Sequence, residues 1–321
     1  MTENYVSRMF KFSGAGNDFV VLDGRKGGME PFREAARIGE LCREHHTDGL
    51  MILTEGKGTD FTMEFYNPDG SGGMMCGNGG RCIVAFADYL GICPADGHTY
   101  RFLAPDGLHE AVILEGTASG GTPFAPLSPA PPIVSCVPFG NLSPTGPSPC
   151  PSPGVDKSPG GSSLQKWTVR LKMIDVKGIT PVKGGYFLNT GTRHFVKLVD
   201  SVETLDMEAD AKPLRWDPAF QPEGANVNFV EVRSDGLHVR TFEKGVEGET
   251  LACGTGLTAS ALAAYHAGIA GTEQAGRVSY RLQCRRGDWL QVDFQAHPDS
   301  RFTDVYLTGP AELVRINFIS L

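Results

Sequence analysis

Two cysteines in the chain are each followed by a glycine-rich turn and a helix-like stretch, and the two segments align without a gap. CGNGGRCIVAFADYLGI begins at Cys76, and CGTGLTASALAAYHAGI begins at Cys253. Free backbone N–H groups and the helix dipole favour the thiolate of a cysteine at a helix N-terminus. The same N–H groups bind a carboxylate, and the glycines let a ligand approach the backbone closely. Each segment therefore predicts a helix start that holds an anion beside a reactive sulfur.

The duplication predicts that both sulfurs act on one ligand. Two facing helix starts would hold a single carboxylate and put one sulfur on each face of the neighbouring carbon. One thiolate would remove the α-proton from one face, and the opposite thiol would return a proton to the other, while the carbanion charge spreads into the bound carboxylate. Cysteine suits both roles because its pKa is tunable towards neutrality. The pattern indicates inversion at an α-carbon, with no cofactor required.

Other interpretations of Cys76 and Cys253 are small buried side chains, a phosphate-binding loop or a reversible disulfide. The two segments match in register over the whole length of the helix, which disfavours a role as small buried side chains. Neither copy has the Lys-Ser/Thr or the GxGxxG spacing of a phosphate loop. The chain has no CxxC pair, and the adjacent His45 and His46 lack further spaced ligands. No metal site is predicted.

Strand-like and helix-like runs around the repeat predict an α+β fold with mixed sheets. Predicted strands, rich in aromatic and β-branched residues and bounded by turn formers, are Phe19–Leu22, Leu50–Leu53, Phe61–Tyr66, Trp167–Met173, Phe195–Val199, Asn228–Val232 and Leu237–Phe242. A further helix is predicted near Glu34–Arg43. Each cysteine helix carries an apolar stripe and ends at a glycine suited to a C-cap, Gly91 or Gly268. One half-domain duplicated is the simplest account.

Composition divides the chain into three parts. Residues 1–116 form a predicted N-terminal half-domain and residues 166–308 a C-terminal one. Residues 117–165 form a Pro/Ser/Gly-rich insertion or linker, since 12 of the 22 prolines lie between 116 and 163.

The formal net charge of the chain is −8, which argues against general nucleic-acid binding through basic patches. The sequence contains no apolar run of membrane-spanning length and no secretory leader pattern, so we expect a cytoplasmic protein without a membrane partner.

Five motifs are distinctive: FSGAGNDFVVLD (Phe12–Asp23), FYNPDGSGGMMCGNGGRC (Phe65–Cys82), GANVNFVEV (Gly224–Val232), RTFEKGVEGETLACGTG (Arg240–Gly256) and VYLTGPAELV (Val305–Val314). With these motifs the chain resembles diaminopimelate epimerase, a cofactor-independent amino-acid epimerase with two catalytic cysteines. The resemblance covers nearly the whole chain outside the Pro-rich segment. It implies two pseudo-symmetric half-domains, each a curved mixed β-sheet around a central helix, with an active-site cleft between them. It also implies that residues 309–321 return to the first half and that the protein is a homodimer.

The resemblance implies conversion of LL- to meso-diaminopimelate in the synthesis of lysine and peptidoglycan precursors, and it assigns roles to residues. Cys76 and Cys253 match the acid/base pair. The positions that match substrate-binding residues are Asn17, Asn67, Gly77, Asn78, Asn226, Glu243, Lys244, Gly254 and Thr255. His194 and Glu243 match residues that tune the cysteine pKa values, and Tyr306 matches a tyrosine at the dimer contact.

The chain departs from the family pattern at Thr192-Arg193, where relatives have Asn-Pro or Ser-Pro before the histidine, and at Lys244, where relatives have Arg. Lys offers a carboxylate one point charge in place of a planar fork. Two alternative functions are therefore kept: a racemase of the proline or hydroxyproline type, and a catalytically inactive ligand-binding relative. Single residues have plainer alternatives too. Asn17 and Asn67 are compatible with turns, His194 with a hydrogen-bonded core position, and Tyr306 with the core.

Overall fold

The computed structural model describes residues 6–73, 75–118 and 165–320. Residues 119–164, nearly the whole predicted insertion, lie outside the described residues. The predicted strands and the helix near Glu34 are confirmed, with ends shifted by a few residues. None of the helices in the described ranges is both long enough and apolar enough to span a bilayer.

The described residues of the first half form six strands and two helices. The strands are β1 Val6–Gly14, β2 Asn17–Asp23, β3 Gly49–Glu55, β4 Phe61–Tyr66, β5 Tyr100–Ala104 and β6 Gly107–Ala118. The helices are α1 Ala35–His45 and α2 Gly77–Tyr89, with a 3-10 turn at Glu30–Arg33.

From residue 165 to residue 320 the structure describes three helices, α3 Met207–Asp210, α4 Lys212–Arg215 and α5 Gly254–His266, and a 3-10 turn at Pro218–Phe220. Its strands are β7 Gln165–Lys172, β8 Thr180–Val182, β9 Gly185–Asn189, β10 Arg193–Leu198, β11 Asn226–Arg233, β12 Gly236–Glu243, β13 Gly248–Thr250, β14 Thr272–Gln274, β15 Arg277–Gln283, β16 Trp289–Ala296 and β17 Phe302–Ser320.

The two halves repeat one pattern of strand pairing. In the first, β2–β3 is parallel, β3–β4 antiparallel, β4–β5 parallel and β5–β6 antiparallel. In the second, β10–β11, β11–β12, β12–β15 and β15–β16 follow the same order of directions. α2 and α5 occupy equivalent places, between β4 and β5 and between β12 and β15. The predicted α+β fold of two pseudo-symmetric mixed-sheet halves is confirmed.

Both repeat helices are central core elements. Every residue from Gly77 to Ala87 in α2 is buried, and α5 is buried over nearly its whole length. A helix that is apolar on all sides is stable only when other elements surround it. Each helix is followed by a glycine in the left-handed region, Gly91 at φ 73° and Gly268 at φ 78°, as predicted from the repeat.

β17 connects the halves because one strand pairs with elements of both. It pairs with β16 of the second half and then, from Gly309 onward, with β7 and β1. β7, which the division of the sequence assigned to the C-terminal half, pairs with β6 and β17, and its Leu171 faces Gly80 of α2. The pairing of β7 favours a boundary after Lys172 rather than before residue 166, and the boundaries remain predictions.

Candidate active site

Cys76 is the N-cap residue of α2. Its backbone is extended, with φ −98° and ψ 152°, and its Sγ accepts a hydrogen bond from the Gly79 N–H at 3.2 Å. A sulfur thus takes the place that a Ser, Thr or Asp oxygen occupies at most helix starts. Because this sulfur lies at the positive end of the helix dipole, the geometry favours its thiolate.

Cys253 holds the equivalent position before α5, but its sulfur has a different partner. The backbone is again extended, and the Sγ makes no capping hydrogen bond to the helix. The Sγ lies 3.4 Å from the Thr255 hydroxyl oxygen instead. The two cysteines are therefore equivalent in backbone position and unequal in chemical surroundings.

The starts of α2 and α5 touch each other. A Cβ placed on Gly254 would lie 3.2 Å from the Gly77 Cα, and a Cβ placed on Gly77 would lie 2.9 Å from Leu307 Cδ2. Only glycine leaves room for this approach of two backbones. The two helix starts, whose first N–H groups have no partner within the helix, therefore lie side by side. That they hold one carboxylate between them remains a prediction.

Glu243, at the end of β12, acts electrostatically on both sulfurs. Burial, and then the negative charge of Glu243, raise the pKa of the Cys253 thiol. Burial also raises the pKa of Cys76, where the Gly79 N–H opposes the shift and Glu243 adds to it. The charge of Cys76 contributes to the raised pKa of Cys253, so the two sulfurs share one electrostatic environment.

Burial raises the pKa of the Glu243 carboxyl itself, and its contact with the Cys253 thiol opposes that shift. The predicted tuning residue Glu243 is therefore adjacent to Cys253.

Asn17 and Asn78 are brought together at the start of α2. The Asn78 Nδ2 donates to Asn17 Oδ1, and the Arg81 Nη2 donates to Asn78 Oδ1 at 2.9 Å. Arg81 is fully buried and also binds the Gly77 carbonyl at 3.0 Å. Because the amide orientation of Asn78 is fixed by this arginine, Asn17 presents its own NH2 group away from Asn78.

The sequence analysis did not single out Arg81, although among the described residues it is the largest side chain that is fully buried. It joins α2 to the carbonyls of Gly14 at 3.3 Å and Pro310 at 3.2 Å. In the repeat its counterpart is Thr258, whose hydroxyl binds the Gly254 carbonyl at 3.0 Å. The sequence signal that could have identified Arg81 is a charged residue inside an otherwise apolar helical segment.

Asn226 and the Lys244 backbone lie together in the second half, where β11 begins and β12 ends. The Asn226 Oδ1 accepts from the Lys244 backbone N–H at 2.7 Å, and its Nδ2 donates to Thr192 Oγ1 at 3.2 Å. His194 is fully buried, and burial lowers its pKa to about 3, so its imidazole is neutral. Its Nε2 lies 2.8 Å from Thr192 Oγ1.

Asn67 and Tyr306 have neighbours of another kind. The Asn67 amide donates to the Ser71 hydroxyl at 3.0 Å, within the loop between β4 and Cys76. The ring of Tyr306 lies under the Arg170 guanidinium, 3.6 Å from its carbon, and Arg170 pairs with Asp293. Both arrangements are intramolecular, so the roles in substrate binding and dimer contact stay predictions.

A pocket of about 520 Å³ opens beside the two helix starts. Its wall combines Met75, Asp106 and His109 from the first half with Thr190, Thr192 and Thr255 from the second. Met75 precedes Cys76 and Thr255 follows Cys253 by two positions, so the pocket reaches the neighbours of both cysteines. In the described parts of the chain, no group of three or more His, Cys, Asp or Glu side chains is arranged to hold a metal ion.

Solved structures of low sequence identity share this fold. A PhzF-family phenazine biosynthesis protein from Bacillus anthracis superposes with a TM-score of 0.64 at 10% identity, over 99% of this chain and 100% of that one. A hydroxyproline epimerase from Agrobacterium vitis, with bound trans-4-hydroxy-L-proline, superposes with a TM-score of 0.56 at 14% identity, over 100% and 94% of the chains. The chain is thus an α+β protein with this two-half fold.

Closer relatives identify the family. The diaminopimelate epimerase family model matches residues 9–111 and 186–313. The diaminopimelate epimerase of Flavobacterium psychrophilum is 32% identical over 96% of this chain and 98% of its own, and that of Chlorobaculum tepidum is 33% identical over 96% and 100%. The enzyme of Aquifex aeolicus is 33% identical over 94% and 93%. The chain belongs to the diaminopimelate epimerase family, and it is an isomerase.

Proposed function

We propose that this chain interconverts LL- and meso-diaminopimelate by proton transfer between the substrate α-carbon and two cysteines, Cys76 and Cys253, without a cofactor. The observation that carries the proposal is the contact between two helix starts, Gly77 against Gly254, each preceded by a cysteine. An α-carboxylate held by both sets of N–H groups would have one sulfur on each side of its neighbouring carbon.

The proposed reaction exchanges the protonation states of the sulfurs. The Cys76 thiolate accepts the α-proton and becomes a thiol, while the Cys253 thiol gives its proton to the opposite face and becomes a thiolate. The starting assignment is supported by two contacts. Burial raises the pKa of both thiols, but the next largest influence differs: the Gly79 N–H lowers the pKa of Cys76, whereas the charge of Glu243 raises that of Cys253. In the reverse direction the two residues exchange roles.

Binding of the substrate is assigned to the groups around the helix starts. The backbone N–H groups of Gly77-Asn78 and Gly254-Thr255 would hold the reacting carboxylate and stabilise the charge that develops there. Asn17, Asn67 and Asn226 would orient the amino and carboxyl groups.

Glu243 would contact an ammonium group of the substrate, and Lys244 a carboxylate. The asparagine motifs and Glu243 together favour the longer diamino substrate over proline.

The biological setting is proposed from the family. The product would enter lysine and peptidoglycan precursor synthesis in the cytoplasm, with no membrane or nucleic-acid partner.

We propose a homodimer with Tyr306 at the contact. Light scattering of the purified protein tests the dimer, and Tyr306→Ala is expected to shift it to monomers. A wild-type monomer would contradict it.

The experiment that tests the chemistry is deuterium incorporation at the α-carbon in D2O, measured with purified protein and each diaminopimelate isomer, with no cofactor added. Cys76→Ala and Cys253→Ala are each expected to abolish inversion. Cys42→Ala is the matched control, since Cys42 is a buried thiol on α1 in a different core cluster. Wild-type rates of inversion in either active-site variant would refute the two-cysteine mechanism.

A substrate panel separates the proposal from a racemase of the proline or hydroxyproline type. The fold is shared with a hydroxyproline epimerase, so this alternative has a structural basis. Turnover of proline or hydroxyproline, with none of diaminopimelate, would favour the alternative.

A further inference from the structure

We propose that Thr192 is a positioning residue: it directs a one-way series of hydrogen bonds, from Asn228 through His194, Thr192 and Thr255, to the sulfur of Cys253. The inference rests on the proposed function, because it concerns the thiolate that Cys253 becomes after giving up its proton. It adds a role at Thr192, where the chain departs from the family pattern.

The direction of the series is set at its buried end. The Asn228 Nδ2 donates to the Phe195 carbonyl at 3.2 Å, and a carbonyl only accepts. The Asn228 Oδ1 accepts the Thr241 hydroxyl at 3.0 Å. The orientation of the amide is therefore fixed, and the Nδ2 also donates to His194 Nδ1 at 3.0 Å. Because Nδ1 accepts, the proton of the neutral imidazole is on Nε2.

The Thr192 hydroxyl accepts two hydrogen bonds, so only one direction remains for the hydrogen bond that it donates. His194 Nε2–H lies 2.8 Å from its Oγ1, and the Asn226 Nδ2 lies 3.2 Å away. The Asn226 amide is itself oriented, since its Oδ1 accepts the Lys244 N–H. A hydroxyl has two acceptor lone pairs and one hydrogen. The Thr192 hydrogen therefore points at Thr255 Oγ1, 3.2 Å away.

The last step reaches the sulfur. Thr255 Oγ1 accepts from Thr192, so its own hydrogen is free to point at Cys253 Sγ, 3.4 Å away. Thr255 is also held through its backbone, because the Thr190 hydroxyl donates to the Thr255 carbonyl at 2.9 Å. Each group in the series therefore donates a hydrogen bond to the next group, and the last donates to the sulfur of Cys253.

This donor offsets a specific difficulty of the reaction. Burial and the charge of Glu243 both disfavour the Cys253 thiolate, yet the thiolate must form whenever Cys253 delivers its proton to the substrate. A hydroxyl already aimed at the sulfur stabilises the thiolate without reorganisation. No proton leaves His194 or either threonine in this step. The proton moves only from Cys253 to the α-carbon.

The test compares Thr192→Val, which removes the hydroxyl at nearly constant volume, with Thr192→Ser, which keeps it. Two quantities are measured: kcat and KM for diaminopimelate, and the rates at which iodoacetamide alkylates Cys253 and Cys76, resolved by peptide mass spectrometry at one pH. Thr192→Val is expected to lower kcat about fivefold with little change in KM, and to slow alkylation of Cys253 relative to Cys76 by a similar factor, as for the loss of one hydrogen bond. Thr192→Ser is expected to restore both.

Thr190→Val is the matched control, since it removes a hydroxyl that binds the same Thr255 outside the series. Its ratio of Cys253 to Cys76 alkylation is expected to equal that of the wild type. An unchanged ratio in Thr192→Val would overturn the proposal, and so would a rise in KM at constant kcat, which would mean that Thr192 contacts substrate. If the wild type fails to turn over diaminopimelate, the proposed function fails, while the alkylation ratio still tests the hydrogen-bond series.

Discussion

Gly77 and Gly254, 177 positions apart in the chain, lie in backbone contact across the two halves of the molecule. A Cβ on Gly254 would approach the Gly77 Cα to 3.2 Å and Leu307 Cδ2 to 3.0 Å. The contact brings together the two helix starts that Cys76 and Cys253 precede. The chemistry proposed for the chain depends on this approach of the helix starts.

Replacing Gly254 with Ala should therefore have a larger effect on kcat than on the free energy of unfolding. The added methyl must push the Gly77 backbone or Leu307 by a few tenths of an ångström, and we expect kcat to fall by about tenfold or more. The free energy of unfolding should fall by about 1–2 kcal/mol. Enzyme kinetics and urea denaturation measure the two effects. Gly178→Ala is the control, because a Cβ there meets nothing within 4 Å. Wild-type kcat in Gly254→Ala would show that the contact has no catalytic importance.

The buried guanidinium of Arg81 should make a large contribution to stability. Arg81→Met would remove the side-chain donor of four hydrogen bonds, to acceptors on Gly77, Gly14, Pro310 and Asn78. We expect a loss of about 2–4 kcal/mol in the free energy of unfolding. Thr258→Val, at the equivalent place in α5, loses one hydrogen bond and should cost about 1 kcal/mol. Urea denaturation compares the two variants, and equal losses would contradict this account of Arg81.

Glu243→Gln should make Cys253 more reactive and the enzyme less active. The negative charge of Glu243 raises the pKa of Cys253, so removal of that charge lowers the pKa and increases the thiolate fraction at neutral pH. Alkylation of Cys253 by iodoacetamide should therefore be faster, whereas kcat should fall because a neutral amide loses the charge that Glu243 is proposed to offer the substrate ammonium group. Glu203→Gln makes the same change of net charge at an exposed site and should alter neither rate. Slower alkylation in Glu243→Gln would reverse the assigned sign.

His194 should make folding sensitive to mild acid. Its pKa is lowered by burial to about 3 in the folded chain, whereas an unfolded histidine titrates near 6.5. Between these values the unfolded state binds the extra proton, so this contribution to stability is complete above about pH 6.5 and is lost as the pH falls towards 3.

The free energy of unfolding, measured from pH 4 to 6, tests this. In His194→Gln its pH slope should be shallower than in the wild type by about 1 kcal/mol per pH unit. His98→Gln, at an exposed site, should keep the wild-type slope. Equal slopes in His194→Gln and the wild type would exclude a buried neutral imidazole.

Local patterns were sufficient to predict most of the fold and part of the site. The aromatic and β-branched runs predicted the strands, and the Cys-Gly starts and glycine ends predicted α2 and α5, because caps and hydrophobic periodicity act over a few neighbouring residues. The gapless repeat predicted the two halves. By contrast, nothing local to β7 indicated that it joins the sheet around α2, since strand partners are chosen by packing between distant segments.

The sequence alone determined that two cysteines begin two related helices, because a capping residue is defined by its immediate neighbours. Tertiary structure decided which groups surround each sulfur. The contact of Gly77 with Gly254, the four hydrogen bonds of buried Arg81 and the series from Asn228 to Cys253 all join residues far apart in the chain. Their geometry depends on how whole sheets pack, and side-chain hydrogen bonds form only where that packing brings donor and acceptor within about 3 Å of each other.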